Sequence, residues 1–329
     1  ATRDKDFIEH LFIGTNHQYM LFFTEKGKCF WLRVYEIPEG GKNTKGRAIQ
    51  NLINIASDDL VKAVICTHDL KEQDYINSHY VIMATKKGVI KKTCLEQYSR
   101  PRQNGIVAIT IKEDDELLEA RLTSGNSQVM LAVKSGKAIR FPEEKVRAVG
   151  RSGSGVRGIS LESDKDEVIG MIAVAQDTPE TILVVSENGY GKRSLVEDYR
   201  ITNRGTKGVK TLNVTDKTGE LVAFEAVTDE HDLMIINRSG ITIRVHARDI
   251  SVQGRATQGV RIIDLKKRGD EIASVCRVLS EEEIEDSGEV PTEPLPSLDS
   301  ILPPIDTPEA NSQLSEDFLA RAMDEELNN

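Results

Sequence analysis

The sequence contains few cysteines and histidines, two residue types that are common in catalytic and metal centres. Its four cysteines, Cys29, Cys66, Cys94 and Cys276, lie in separate strand-like segments without a CxxC pair, and its six histidines form neither an HxH nor an HExxH motif. No run approaches the roughly 20 apolar residues of a membrane span. The first residues are charged, unlike a signal peptide. These absences predict a cytoplasmic protein with reduced thiols and no metal or cofactor of its own.

The sequence contains instead a segment that recurs five times. A first glycine, called here the hairpin glycine, separates two short apolar runs, as in "MATKKGVIKKT". A second glycine follows 17 or 19 residues later, and an acidic residue that opens an apolar run comes a further 11 to 13 residues on. The hairpin glycines are Gly27, Gly88, Gly136, Gly189 and Gly240; the second glycines are Gly46, Gly105, Gly155, Gly208 and Gly259; the acids are Asp59, Glu116, Glu167, Glu220 and Glu271.

Each copy is about fifty residues long and holds four strand-sized segments. This repeat length and this number of strands are typical of a propeller blade. In the first copy we expect strands over 19–24, 28–34, 48–53 and 60–66, and little helix anywhere. Asp6 opens "DFIEHLF" as Glu116 opens "ELLEARL". Residues 6–13 are therefore expected to form part of a truncated sixth blade, closed by residues 271–279, of a longer polypeptide. The predicted class is all-β, with five complete repeats.

The net charge of -10 is concentrated at one end of the chain. Residues 281–326 hold 15 acidic side chains and one basic one, so residues 1–280 carry about +4, from 42 basic against 38 acidic residues. We therefore expect a folded domain over 1–280. The acidic, proline-rich tail over 281–329 is expected to be disordered, with a short helix over 315–327.

Basic residues recur at fixed places in the copies. Four residues before the second glycine stand Lys42, Arg151, Arg204 and Arg255, with Arg100 and Arg102 near this place in the shorter second copy, and two residues after it stand Arg157, Lys210 and Arg261. Lys45, Arg47 and Lys207 lie close by, and four residues after the hairpin glycine stand Lys92, Arg140, Arg193 and Arg244. In a propeller, equivalent positions of successive blades lie on the same rim of the domain. These cations therefore predict a basic belt around that rim.

A basic belt is suited to a curved polyanion, because neutralised phosphates release condensed counterions. The pattern predicts double-stranded DNA as the partner, recognised through its backbone and its deformability rather than its bases. Two other functions stay open. A propeller can be a protein-binding scaffold, or a hydrolase that gathers the repeated acids around a central channel, although one acid at each strand start is more typical of a turn contact. Salt-dependent DNA binding would separate the first function from the other two.

Several strings in order, among them "RVYEIPEGGKNTKGRAIQNL", "GSGVRGISL", "ENGYGKRSLVEDY", "NRGTKGVKTL" and "GRATQGVRII", resemble the C-terminal domain family of DNA gyrase A. The resemblance covers residues 6 to about 279. It implies a six-bladed β-pinwheel whose blades exchange strands, a monomer that wraps DNA around its rim near the nucleoid. The implied partners are the rest of gyrase A and the gyrase B protein. The parent enzyme is then an ATP-dependent type II topoisomerase that uses ATP and Mg²⁺ elsewhere. This chain lacks the catalytic tyrosine domain and is expected to be non-catalytic.

One motif departs from the family pattern. The basic heptapeptide QRRGGKG of the first blade does not occur, and "EGGKNTKG" over residues 39–46 is a faint echo in another blade. Its expected place is the truncated repeat before Asp6. A topoisomerase IV subunit, whose corresponding domain has degenerate boxes, therefore stays open as an alternative.

Overall fold

The computed structural model describes residues 14–40, 46–68, 70–175, 180–265 and 270–279. In chain order its strands are β1 (Tyr19–Thr24), β2 (Lys28–Arg33), β3 (Val61–Thr67), β4 (Tyr80–Thr85), β5 (Val89–Cys94), β6 (Ile106–Val107), β7 (Leu117–Thr123), β8 (Gln128–Val133), β9 (Lys137–Pro142), β10 (Val156–Arg157), β11 (Val168–Val174), β12 (Thr181–Ser186), β13 (Tyr190–Leu195), β14 (Val209–Lys210), β15 (Leu221–Val227), β16 (His231–Asn237), β17 (Thr242–His246), β18 (Val260–Arg261) and β19 (Ile272–Leu279). One α-helix, α1 (Gln73–Ser78), lies in the described part of the chain. None of the helices described there is long and apolar enough to cross a membrane.

Each copy begins with an antiparallel hairpin that turns at the hairpin glycine. In the first copy β1 pairs with β2, with Phe22 opposite Phe30. Gly27 has a φ of +79°, and a Cβ there would lie 2.5 Å from the main-chain oxygen of Ile109. The turn therefore requires glycine for both its conformation and its packing. A short 3-10 turn follows the second strand of every hairpin: Val34–Glu36, Leu95–Tyr98, Glu143–Lys145, Val196–Asp198 and Ala247–Asp249.

The hairpins form five sheets, called blades 1 to 5, and successive copies exchange a strand. The strand orders are β3-β1-β2-β6, β7-β4-β5-β10, β11-β8-β9-β14, β15-β12-β13-β18 and the three-stranded β17-β16-β19. The two-residue strands β6, β10, β14 and β18 follow the second glycine of one copy and pair with the hairpin of the preceding copy. Each of blades 1 to 4 is thus completed by its successor.

The cores lie between neighbouring blades. The inner strands contact one another in the order β3, β7, β11, β15 and β19. Ile82 and Ile90 of blade 2 pack in one buried cluster with Val129 and Leu131 of blade 3. Because neighbouring blades cover both faces of a sheet, the first hairpin strands are almost continuously apolar rather than alternating. The all-β, propeller-like class is confirmed, with five blades.

Two expectations about strands are wrong. Segment 48–53 holds a 3-10 turn over Ile49–Asn51 instead of a strand, and Ile53 and Ile55 pack against Met20 and Phe22. The equivalent residues of the other copies pair with the preceding blade, and the described residues contain no sheet before blade 1. Residues 271–279 do not close a further blade, because β19 pairs with β16 inside blade 5.

Three expectations lie outside the described residues: the strand over 6–13, the disorder of the acidic tail and the helix over 315–327. The chain divides into two compact units, Ala1–Glu281 and Glu282–Asn329. All five sheets belong to the N-terminal unit.

Candidate nucleic-acid interface

Three segments around the second glycines carry basic residues and no acidic ones. Residues 145–161 contain four cations, residues 199–215 contain four and residues 250–263 contain two. In each segment a loop ends at the second glycine and leads into the exchanged strand. We call these loops, residues 151–155, 204–208 and 255–259, the glycine loops.

The second glycines fix where these loops lie. Gly155, Gly208 and Gly259 have φ angles of +80°, +73° and +74°. A Cβ on Gly208 would lie 2.4 Å from the main-chain oxygen of Ala138, and one on Gly259 would lie 2.5 Å from that of Gly191. Only glycine allows such contact, so each loop is held against the second hairpin strand of the preceding blade.

Hydrogen bonds join each glycine loop to the copy before it. The main-chain N–H groups of Thr110, Ser160 and Asn213, each five residues after a second glycine, donate to the oxygens of Gly153, Thr206 and Thr257 at 3.3, 3.0 and 3.1 Å. The glycine loops and the exchanged strands β10, β14 and β18 therefore form one continuous band across blades 2 to 4, which we call the glycine-loop belt.

Side chains of the belt make the same connection. Arg204 Nη1 donates to the main-chain oxygen of Arg157 at 3.1 Å, and Arg255 Nη1 donates to that of Lys210 at 2.9 Å. Within the described residues no carboxylate lies within ion-pair distance of Arg151, Arg157, Arg204, Lys207, Lys210 or Arg255, whereas Arg261 lies 3.6 Å from Asp264. These contacts orient the arginines without neutralising them, so the belt keeps a positive field.

The cations predicted around the second glycine are exposed or half-buried wherever the structure describes them. Arg47, Arg100, Arg102, Arg157, Lys207, Lys210 and Arg261 are exposed, and Arg151, Arg204 and Arg255 are half-buried. Lys42 and Lys45 lie outside the described residues. Arg147 and Arg200 are exposed in the same segments and were not predicted, although both stand eight residues before a second glycine.

Two of the four cations that stand four residues after the hairpin glycine, Lys92 and Arg193, do not join the exposed belt, and for these two the prediction is wrong. Lys92 is buried, with Nζ 3.4 Å from the Glu143 carboxylate and 4.7 Å from the centre of the Tyr80 ring. Arg193 is buried, donates to the main-chain oxygen of Ile250 at 2.8 Å and pairs with Asp229.

The other two members of this register, the half-buried Arg140 and the exposed Arg244, also donate hydrogen bonds within the protein. Arg140 donates to the main-chain oxygen of Val196 at 2.8 Å, and Arg244 donates to Asp232 at 2.7 Å. The backbone of Lys92, Arg140 and Arg193 bridges to Ala148, Ile201 and Val252 of the following copy. In the second, third and fourth copies this register therefore fastens one copy to the next, whereas Arg244 pairs within its own hairpin.

The repeated acids make turn contacts and ion pairs. Asp59 accepts the N–H of Lys26 at 3.1 Å, which bears out the expected turn contact in the first copy. In the second and third copies the preceding residue takes this role, because Asp115 and Asp166 accept from the hairpin turns. Glu220 and Glu271 pair with Lys134 and Arg238 at 2.9 and 2.8 Å.

Three charges face one another between inner strands of blades 2 and 4. Arg121 of β7 lies 3.2 Å from Glu119 of the same strand and 3.3 Å from Glu225 of β15. Burial, together with the negative charge of Glu225, raises the pKa of Glu119 to about 7, although Arg121 opposes this shift. The cluster contains no serine, threonine, cysteine or histidine side chain. Among the described residues no group of His, Cys, Asp or Glu has metal-binding geometry.

Comparison with known proteins follows the same repeats. A family model described as DNA gyrase C-terminal domain, beta-propeller, matches residues 18–68, 79–124, 128–175, 180–228 and 231–276, one segment for each blade hairpin. The DNA gyrase A protein of Staphylococcus aureus strain MRSA252 is 40% identical over 293 residues, which is 88% of this chain and 32% of that protein. The gyrase A protein of strain NCTC 8325 / PS 47 is 41% identical over 286 residues, 86% of this chain and 31% of that protein. The chain thus spans about a third of these relatives.

Solved structures share the fold. A C-terminal domain of DNA topoisomerase IV superposes with a TM-score of 0.73 at 24% identity, covering 83% of this chain and 85% of that one. A DNA gyrase A C-terminal domain superposes with a TM-score of 0.67 at 24% identity, covering 80% and 84%. At this identity the superpositions establish the architecture alone.

Proposed function

The chain belongs to the DNA gyrase C-terminal domain family, and from this premise we propose that it binds duplex DNA along the glycine-loop belt and bends it across successive blades. The chain itself supplies binding and geometry rather than chemistry. The observation that carries the proposal is the belt. It presents unneutralised cations from consecutive copies, on loops that are joined to the neighbouring copy by hydrogen bonds. Its glycines let each loop lie close against the main chain of the preceding blade.

The charge pattern suits a phosphate backbone better than a protein ligand. Cations at one repeated spacing contact a polymer of repeated charges without reading its sequence. Bending a short duplex by 40–90° costs about 1–6 kcal/mol, which further phosphate contacts offset. In the described part of the chain α1 has six residues, too few for a recognition helix in the major groove. We infer that binding tolerates sequence and favours flexible DNA.

For the parent protein we propose the role that the family implies. The bent segment would be presented to the remainder of gyrase A and to the gyrase B protein, where ATP and Mg²⁺ support strand passage and negative supercoiling. The family match and the gyrase A relatives favour gyrase over topoisomerase IV. The domain would act as a monomer in the cytoplasm, in contact with the nucleoid.

We also propose a sixth blade, to which residues 6–13 contribute an inner strand. The support is the match between "DFIEHLF" and "ELLEARL", the latter covering most of β7. That blade is the expected place of the basic heptapeptide. A parent-protein structure in which residues 6–13 pair within a further sheet would bear this out, and their pairing with blade 1 or 5 would contradict it.

Bending is tested with a duplex labelled at both ends. On a duplex of about 30 base pairs, roughly 100 Å long and shorter than the persistence length of about 150 base pairs, we expect added domain to increase energy transfer between the end labels. The control variant, Lys26→Ala with Arg238→Ala, removes two cations already paired with Asp58 and Glu271 and should bend DNA like the wild type. Saturable binding without approach of the ends would show a domain that binds DNA and does not bend it.

A further inference from the structure

Two lysines lie beneath the glycine-loop belt at a position where the other copies have apolar residues. Lys91 and Lys192 stand three residues after the hairpin glycine in the second and fourth copies, where the remaining copies have Phe30, Ile139 and Ile243. Both lysines are fully buried, with 0% of their surface exposed. A buried ammonium group is costly unless its protons are accepted, so the position calls for a specific partner.

The partners are main-chain oxygens of the belt. Lys192 Nζ donates to Gly254 and Arg255, at 2.6 Å each. Lys91 Nζ donates to Ala108 at 2.6 Å and also to Arg151. In both blades the ammonium group therefore holds the main chain of a belt arginine, which comes from the following copy.

These contacts satisfy the ammonium protons without cancelling the charge. The titratable groups around Lys91 are Arg151, Tyr98, whose hydroxyl also donates to Ala108, and the buried Cys29. Around Lys192 they are Arg255, Asp198 and Tyr199. Asp198 is the one carboxylate among them, and it makes no hydrogen bond to Lys192 within the described residues. Each ammonium thus adds positive charge under the surface.

We propose that Lys91 and Lys192 are positioning residues of the DNA-binding surface: they hold the loops of Arg151 and Arg255 against blades 2 and 4 and place a buried positive charge beneath the phosphate path. This inference rests on the DNA binding proposed above. Blade 3 has a different arrangement, since it carries Ile139 at this place and Arg204 is held by the main-chain oxygens of Lys145 and Arg157. Blade 3 therefore provides an internal control.

The environment makes the two charges sensitive to pH. Burial, with the nearby Arg151, lowers the pKa of Lys91 to about 8. Burial also lowers the pKa of Lys192 to about 8, with Asp198 opposing and Arg255 adding to the shift. A DNA phosphate near the belt favours the protonated amine, so binding takes up protons near pH 8 and weakens as the pH rises above it.

The test compares duplex affinity at pH 7 and pH 9 for the wild type, the double variant Lys91→Met with Lys192→Met, and the control Ile139→Met. We expect the wild type and the control to bind about 3- to 10-fold more weakly at pH 9, since a one-unit pKa change corresponds to about tenfold in affinity. The double variant should bind more weakly at pH 7 and lose most of this pH dependence. Equal pH profiles in all three proteins overturn the inference while leaving DNA binding intact; absence of binding by the wild type overturns the proposed function itself.

If circular dichroism shows that the double variant does not fold, a second measurement tests the inference on the wild-type protein. Calorimetric titration of wild-type protein with duplex at pH 8, in two buffers of different ionisation enthalpy, reports the protons taken up on binding. The inference predicts net uptake, and binding without proton uptake overturns it.

Discussion

The guanidinium group of Arg255 donates a hydrogen bond to the main-chain oxygen of Lys210, 2.9 Å away in the preceding copy. Arg204 and Arg157 repeat the relationship one copy earlier, at 3.1 Å. Two cations that would repel each other in isolation are brought together because one binds the backbone of the other. Each of these two arginines thus joins its own glycine loop to the exchanged strand of the preceding copy. Each also contributes one of the positive charges of the belt.

Gly259 of the third glycine loop and Gly254, the residue immediately before that loop, should respond differently to the same substitution. Gly259→Ala places a methyl group 2.5 Å from the main-chain oxygen of Gly191 at a φ of +74°, whereas a Cβ on Gly254 has no heavy atom within 4 Å. We expect Gly259→Ala to lower the free energy of unfolding by about 2 kcal/mol, and Gly254→Ala to change it little. Urea unfolding followed by circular dichroism measures both. Equal effects would mean that the loop is not held against blade 4.

Lys92 should matter for stability and not for DNA. Lys92→Met leaves Glu143, which is fully buried, without its charge partner, and we expect a loss of about 3 kcal/mol in the free energy of unfolding. Arg157→Met, on the exposed belt, should change stability by less than about 0.5 kcal/mol. The same two variants, assayed for the salt dependence of duplex binding, should show the reverse order. A flattened salt dependence in Lys92→Met would restore this residue to the interface.

The carboxylate between the inner strands predicts an unusual pH dependence. Because burial raises the pKa of Glu119 to about 7 from an ordinary value of 4.5, the folded state binds more protons than the unfolded state between these values. This group therefore contributes stability at low pH that is lost as the pH rises toward about 7. Glu119→Gln should gain on the order of 1 kcal/mol relative to the wild type between pH 5 and pH 8. The exposed Glu144→Gln is the control, and a constant difference between Glu119→Gln and the wild type across this range would contradict the assignment.

The sequence predicted the hairpins better than the connections between blades. Glycines at repeated spacing locate a turn wherever the chain must adopt a positive φ, so Gly27 and Gly208 could be assigned from spacing alone. Spacing does not say whether a short strand pairs with its own copy or the one before, because the period is identical in both cases. The exchange of β6, β10, β14 and β18 was accordingly implied by the family resemblance and not by the repeat.

Side-chain burial was the other limit. Lys92 and Arg193 stand four residues after the hairpin glycine, where four of the five copies have a cation, so the sequence places them on the rim. In the structure both are buried, because the following copy covers the strand at this point. Lys91 and Lys192 were missed for the same reason, since a lysine in a strand is ordinarily exposed. The partners of all four are distant in sequence or are main-chain oxygens, and neither kind of partner leaves a mark in the repeat pattern.

The measurement that tests the central claim most directly is the salt dependence of duplex binding by the wild type and by the triple variant Arg151→Ala, Arg204→Ala and Arg255→Ala. A belt that neutralises phosphates predicts that the logarithm of the association constant falls linearly with the logarithm of the salt concentration. The three substitutions should flatten that slope by up to about three units, about one for each phosphate that the variant no longer neutralises. The variant Lys26→Ala with Arg238→Ala should keep the wild-type slope. An identical slope in the triple variant, with the fold intact by circular dichroism, would contradict the assignment of the glycine-loop belt as the DNA path.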